Sequence, residues 1–393
     1  MNILFLSRWF PFPPDNGSKL RIFHLLRGLS EKHNVTLLSF SDPSLLSSHR
    51  FGQDLPCAEI HVIPWKPFNR QSVKARLGYF SPLPRSLVDT YSPQMESLIR
   101  FTLKQQRFDL VIASQLSMAA YYPSFQEVPA LFDEIELGLY YEQAFNRAYS
   151  LKGIMSQLSW FKLQKYLLRL LNRFHSYTVV SENERRLFIK NFHGHENKVE
   201  ILPNCIDLRD YQDLDVTRRP NHLIFTGSFT YEPNYQAMQW FVSHVYPLIL
   251  RQIPDTHLII SGDHAGLSLP QMENITLAGY IDDIRSLIAS CDISIAPLWI
   301  GGGTRLKILE AMAIGIPVVA TSKGAEGLMA KNGNNILIAD DPHTFAMHVV
   351  SLLREKEMRD CLSSNAAKLV KEQYDLQVIM PRFLHMVEKA AAG

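Results

Sequence analysis

The chain has 393 residues, 46% of them apolar and 20% charged, with a formal net charge of +2. That length exceeds what one hydrophobic core ordinarily serves, so two domains of about 100–200 residues each are expected. The near balance of charge gives no electrostatic case for a nucleic-acid partner. The four cysteines, Cys57, Cys205, Cys291 and Cys361, form no C-x-x-C pair, which excludes a disulfide framework and reads as thiols of a reducing compartment.

The first apolar run, Asn2 to Ser7, is short and is ended by Arg8 and the prolines from Pro11 to Pro14. It predicts a buried strand rather than a signal peptide. No apolar run approaches the ~20 residues of a membrane span, so a cytoplasmic protein is expected, either soluble or peripheral at the inner face of the membrane. A helix is predicted over Gly17 to Glu31, then strands at Asn34 to Ser39, Asp109 to Ala113, Ala130 to Phe132 and Tyr177 to Ser181. Residues 207–221, rich in Asp, Arg and Asn, read as a linker. A second series follows, with strands at Leu223 to Thr226, His257 to Ser261, Ile275 to Ala278, Ile293 to Ala296, Val318 to Thr321 and Ile336 to Ile338. Strands alternating with helical stretches predict parallel sheets. The expected class is therefore α/β, with two Rossmann-like domains over 1–205 and 206–375 facing a central cleft. A last helix, within 376–393, is expected to pack back on the first domain. Ligands of such sheets bind at the carboxyl ends of the strands.

After the strand Ile293 to Ala296 comes Gly301-Gly302-Gly303-Thr304-Arg305-Leu306-Lys307-Ile308-Leu309-Glu310. Glycines let a backbone approach a ligand, and a helix predicted to begin near Thr304 offers free amides to an anion. Arg305 and Lys307 add positive charge, and Glu310 can accept bonds from a ribose diol. A glycine triplet alone would be no more than a turn; with Arg, Lys and Glu at this spacing it reads as a site for a nucleoside diphosphate.

The stretch resembles the donor-site signature of retaining glycosyltransferases of family 4, which have the GT-B fold. The resemblance extends to Leu202-Pro203-Asn204-Cys205-Ile206-Asp207, similar to the family's turn between domains. It also takes in Gly279-Tyr280-Ile281-Asp282-Asp283, similar to the loop beside the nucleotide base, and Ala325-Glu326-Gly327-Leu328. It departs from the family's E-x₇-E, because Glu310 matches the second glutamate while Gly302 stands at the first. The family's arginine after the first strand of the second domain is replaced by Ser228, following Gly227. The form G-G-x-R-x-K-x-x-E is that of a subset of bacterial sugar transferases.

The resemblance implies transfer of a sugar from a nucleotide-diphosphate sugar, UDP- or GDP-linked, to a hydroxyl acceptor that is a glycan, a lipid-linked sugar or a small molecule. Retention of configuration, no cofactor and no metal are implied with it. The donor set is Gly17, Ser228, Tyr280, Ile281, Gly302, Gly303, Thr304, Arg305, Leu306, Lys307 and Glu310. Gly17 belongs to the turn from Pro13 to Lys19; Lys19 and Arg21 read as solvated. Asp133 and Glu134, ending the strand Ala130 to Phe132, stand where the family meets the donor sugar from the other domain. They are the catalytic candidates, with helix capping the rival role for Asp133. Ser181 reads as a helix N-cap. Two other readings are a nucleotide-sugar epimerase of the same fold and a non-catalytic nucleotide-sugar-binding protein. The absence of G-x-G-x-x-G after the first strand argues against a dinucleotide oxidoreductase.

Two stretches combine basic and aromatic residues. One, over 151–174, contains Lys152, Lys162, Lys165, Arg169 and Arg173. The other runs from Trp65 to Arg85 with Lys66, Arg70, Lys74 and Arg76. The first predicts either a core helix with a solvated basic side or a helix lying on an anionic membrane.

Overall fold

The computed structural model describes residues 1–14, 16–42, 55–145, 151–212, 214, 216–270, 272–301 and 305–392. The chain divides into two compact units, Met1–Pro203 with Met380–Gly393, and Asn204–Ile379.

The first unit holds a seven-stranded sheet: β1 (Asn2–Ser7), β2 (Asn34–Ser41), β3 (Glu59–Pro64), β4 (Leu110–Ser114), β5 (Ala130–Asp133), β6 (Ser176–Val179) and β7 (Val199–Ile201). Its order is β3-β2-β1-β4-β5-β6-β7, and every pair is parallel. The central strands are continuous apolar runs because helices cover both faces of such a sheet. Leu4, Leu6, Val111, Ala113 and Phe132 lie in the core of one face. The strands β3 and β7, not expected from the sequence, are the two edges. Their partial burial leaves no continuous apolar run to read.

The second unit holds six parallel strands: β8 (His222–Thr226), β9 (His257–Ser261), β10 (Ile275–Gly279), β11 (Ile293–Ala296), β12 (Val318–Ala320) and β13 (Leu337–Ile338). Their order is β10-β9-β8-β11-β12-β13. Each order reverses direction once, between β1 and β4 in one sheet and between β8 and β11 in the other. Those reversals open the crevices in which doubly wound sheets bind ligands.

Residues 207–221 are not a loose linker. Asp207 is fully buried and caps the 3₁₀ turn Leu208–Tyr211, holding Arg209 in an ion pair at 2.6 Å. Ile206 bridges to Asp375 at the far end of the same unit. The polar composition concealed this because the charges pair locally. The helix Leu376–Ala391 has its residues from Met380 onward in the first unit. There Met380 lies so close to Gly28 that an added Cβ would meet its methyl carbon at 2.3 Å, and Lys389 approaches Glu200 at 3.9 Å.

Candidate functional site

In the second unit the chain leaves β8 through Gly227 and β9 through Gly262. Both have positive φ, +153° and +121°. The two turns touch: a Cβ on Gly262 would lie 2.6 Å from the Ser228 amide nitrogen. A Cβ on Gly227 would lie 2.6 Å from Asn234 Nδ2 and 2.7 Å from Lys307 Nζ. Glycine is therefore required sterically as well as conformationally. The clearance it leaves is taken up by Lys307.

The helix Leu306–Ile314 follows β11, with Arg305 as its N-cap residue. Lys307 Nζ donates to Asn234 Oδ1 at 3.0 Å and lies 4.2 Å from the centre of the Phe225 ring. Asn234 in turn donates to the Ser228 carbonyl at 2.8 Å, so one buried amide ties the turn after β8 to the cation after β11. The Ser228 hydroxyl bonds to Thr230 Oγ1 and to the Asp263 carbonyl. Arg305, 8% exposed, donates from Nη2 to the Gly301 carbonyl at 2.8 Å. Glu310 Oε1 accepts from the Tyr211 hydroxyl at 3.1 Å. The Leu306 side chain is buried, so it can offer a ligand its backbone alone. Tyr280 is 58% exposed. Ile281 is half-buried beside it. Gly302, Gly303 and Thr304 lie outside the described residues.

Burial shapes the charges here. Desolvation, aided by Arg305 and opposed by Glu310, pushes the Lys307 amine down to about 7. Desolvation also pushes the Glu310 carboxyl up to about 7, against the Tyr211 hydrogen bond and the charges of Lys307 and Arg285. Both groups therefore change charge near neutrality, and a bound anion would set the balance.

In the first unit Gly17 is exposed at the start of the helix Gly17–Ser30, capped by the Asn16 side chain, which accepts from the Lys19 amide at 3.1 Å. Arg21 on that helix is not solvated, contrary to the sequence reading. It is 1% exposed and pairs with Asp133 Oδ1 at 2.6 Å while donating to the Leu202 carbonyl at 2.9 Å. Its partner lies 112 residues away, so nothing local in the sequence signals the pairing. Asp133 is fully buried and also accepts from Thr178 Oγ1 at 2.6 Å. Glu134 turns away with φ +62°, its amide bonded to Thr178 Oγ1 and its carboxylate accepting from Gln115 Nε2 at 2.9 Å. Gln115, the residue after β4, has φ +69°. Two adjacent strand ends thus hold left-handed non-glycine residues bonded to one another, a strain often kept at functional positions. Burial raises the Glu134 carboxyl to about 8, with Arg21 opposing and Glu136 and Asp133 adding to the rise. Ser181 caps the next helix, accepting from the Glu184 amide at 3.2 Å.

Sequence reading missed Gln115, Tyr211 and Asn234. A strand-end position marks Gln115; Tyr211 and Asn234 carry no pattern of their own. Among the described residues no group of three or more His, Cys, Asp or Glu side chains could hold a metal ion.

Residues 16–210 match the family model described as Glycosyltransferase Family 4, and residues 220–355 match Glycosyl transferases group 1. An uncharacterized 44.6 kDa protein in the cps region of Klebsiella pneumoniae is 25% identical over 95% of this chain and 96% of its own. The UDP-Gal:alpha-D-GlcNAc-diphosphoundecaprenol alpha-1,3-galactosyltransferase of Escherichia coli is 24% identical over 82% of this chain and 83% of its own. Among solved structures, Anabaena Alr3699/HepE in complex with UDP-glucose superposes with a TM-score of 0.66 at 16% identity, covering 99% of both chains.

Proposed function

We propose that this chain, which belongs to the glycosyltransferases of GT-B fold, transfers a sugar from a nucleotide-diphosphate sugar to a hydroxyl acceptor, with retention of configuration and without a metal. The observation that carries the reading is the Lys307 amine, held over Phe225 and Asn234 beside Arg305, where β8 and β11 part. A diphosphate set against the start of the helix Leu306–Ile314 would meet its amides and both cations. These cations would stabilise the charge that grows on the departing diphosphate, the task a divalent ion performs elsewhere. Glu310, oriented by Tyr211, would accept from the ribose hydroxyls, and Tyr280 would stack on the base. The UDP-Gal named as donor of one relative and the UDP-glucose bound by a neighbour of like fold favour a uridine nucleotide.

On the first unit Asp133 is taken up by its buried pair with Arg21 and serves the architecture. Glu134, its proton retained to about pH 8, is the group suited to hydrogen-bond a sugar hydroxyl. Retention follows in this reading from a front-face displacement, which the resemblance implies, in which the departing diphosphate takes up the proton of the attacking acceptor hydroxyl.

The test is a calorimetric titration with UDP, GDP, UDP-glucose and UDP-galactose, with and without EDTA, followed by NMR assignment of the anomer formed. Binding of a UDP sugar that EDTA leaves unchanged, with an α product from an α donor, is expected. No binding of any of the four, or an inverted anomer, would overturn the reading.

A further inference from the structure

The two basic, aromatic stretches singled out in the sequence fold into one surface on the first unit. The helix Leu151–Leu171 is apolar on two opposite sides. Trp160, Leu163, Leu167, Leu170 and Leu171 enter the core. At the helical spacing of three and four, Ile154, Leu158, Phe161 and Leu168 form a second stripe that is 40–56% exposed. Lys165 falls within that stripe with its amine 4.5 Å from the Phe161 ring, and Arg169 flanks it. A soluble helix needs one apolar stripe, not two.

The segment 66–85 lies against this helix. Lys162 Nζ donates to the Gly78 and Tyr79 carbonyls, and Arg85 stacks on Tyr79 while bonding to the Ala75 carbonyl. That anchoring displays Val73 (73% exposed), Leu77 (60%) and Phe80 (90%), with Lys74 and Arg76 among them.

Charge says what covers this face. Residues 66–85 and 151–174 contain ten Lys and Arg and no Asp or Glu, while the rest of the chain carries the other 30 basic residues against all 38 acidic ones. A second copy of the chain would bring like charge to the same face, whereas a bilayer bearing anionic lipids offers an apolar interior beneath negative headgroups.

We propose that this face docks the first unit on an anionic membrane, inserting Phe80, Leu77 and Val73 with the stripe from Ile154 to Leu168 while Lys74, Arg76, Lys165 and Arg169 meet the headgroups. The docking does not depend on the donor reading. It is tested by flotation of the full chain with vesicles of phosphatidylcholine alone and with 30% phosphatidylglycerol (about one lipid in three, a strongly anionic surface), at low and high salt. Sedimentation without lipid, and thermal shift with UDP, are read on the same samples. Flotation with the anionic vesicles, weakened by salt, is expected. Phe80→Ser with Phe161→Ser, and separately Lys165→Glu with Arg169→Glu, should each lower the bound fraction at least about tenfold, with unfolding temperature and UDP shift unchanged, since these side chains are exposed. Failure to float, equal binding to neutral vesicles, or variants that bind like the parent would overturn the proposal. So would a dimer in the absence of lipid that the variants dissolve. A missing UDP shift beside intact flotation would count against the donor reading alone.

Discussion

At the carboxyl end of the first sheet a cation and a carboxylate meet in a direct buried pair, whereas at that of the second sheet the Lys307 amine bonds an amide oxygen while the Glu310 charge acts on it. Arg21 and Asp133 form a buried pair, completed by Thr178 and the Leu202 carbonyl. Lys307 lies on a ring face and an amide oxygen, and Arg305 donates to a carbonyl. Desolvation acts on both sites: a directly bonded counter-charge offsets it for Arg21, while the Lys307 amine is pushed down to about 7. The difference separates a pair that stabilises the architecture from a cation that, in the proposed reading, recognises an anion.

The contrast breaks or sharpens by experiment. The largest effect expected is on stability. Arg21→Ala strands a buried carboxylate and should cost about 3–5 kcal/mol, seen as a lower denaturant midpoint with donor affinity little changed in the folded fraction. A loss of donor affinity without a loss of stability would place Arg21 with the recognition groups instead. Next, Lys307→Ala should lower kcat/KM about 100–1,000-fold while lowering the unfolding midpoint by less than Arg21→Ala does, since it removes no directly bonded counter-ion of a buried carboxylate. A large stability loss would show that Lys307 supports the fold.

Third in size is the pH dependence of donor binding. The Lys307 amine is pushed down to about 7, so its charge is present below that pH and is lost as pH rises through it. The Glu310 carboxyl is pushed up to about 7, so the ribose acceptor is present above that pH and is lost as pH falls through it. Affinity measured by titration should therefore be bell-shaped with its maximum near pH 7, each limb approaching about tenfold per unit. Glu310→Gln should remove the acid limb and keep the alkaline one. The smallest effect is a structural control: Ser181→Ala removes a helix cap and should cost about 1 kcal/mol with no change in transfer.

Much of the architecture was legible because buried parallel strands are continuous apolar runs, as in Ile3 to Leu6 and Ile293 to Ala296. The edges β3 and β7 were not, since an edge strand needs no such run. The cation–glutamate spacing of Arg305, Lys307 and Glu310 was legible because one helix start carries all three. Tyr211 orienting Glu310 across 99 residues was not, nor was Asn234 joining Ser228 to Lys307. Composition can mislead as well as fall silent. Arg21 looked like a solvated helix residue and 207–221 like a tether, because a charged residue in a string of letters does not disclose whether a counter-ion waits inside the fold.

The 3₁₀ turn Leu208–Tyr211 has a practical bearing on cutting the gene. A fragment begun at residue 220, where the second family match starts, would discard the phenol bonded to Glu310, the carbonyl of Asp210 that receives Arg285, and the bridge from Ile206 to Asp375. Such a fragment would keep every strand of its sheet and still misplace the Glu310 carboxylate. A reading frame opened at Asn204 keeps that carboxylate aligned, and the sixteen codons that separate the two starts decide whether an isolated second half could show the nucleotide affinity proposed above.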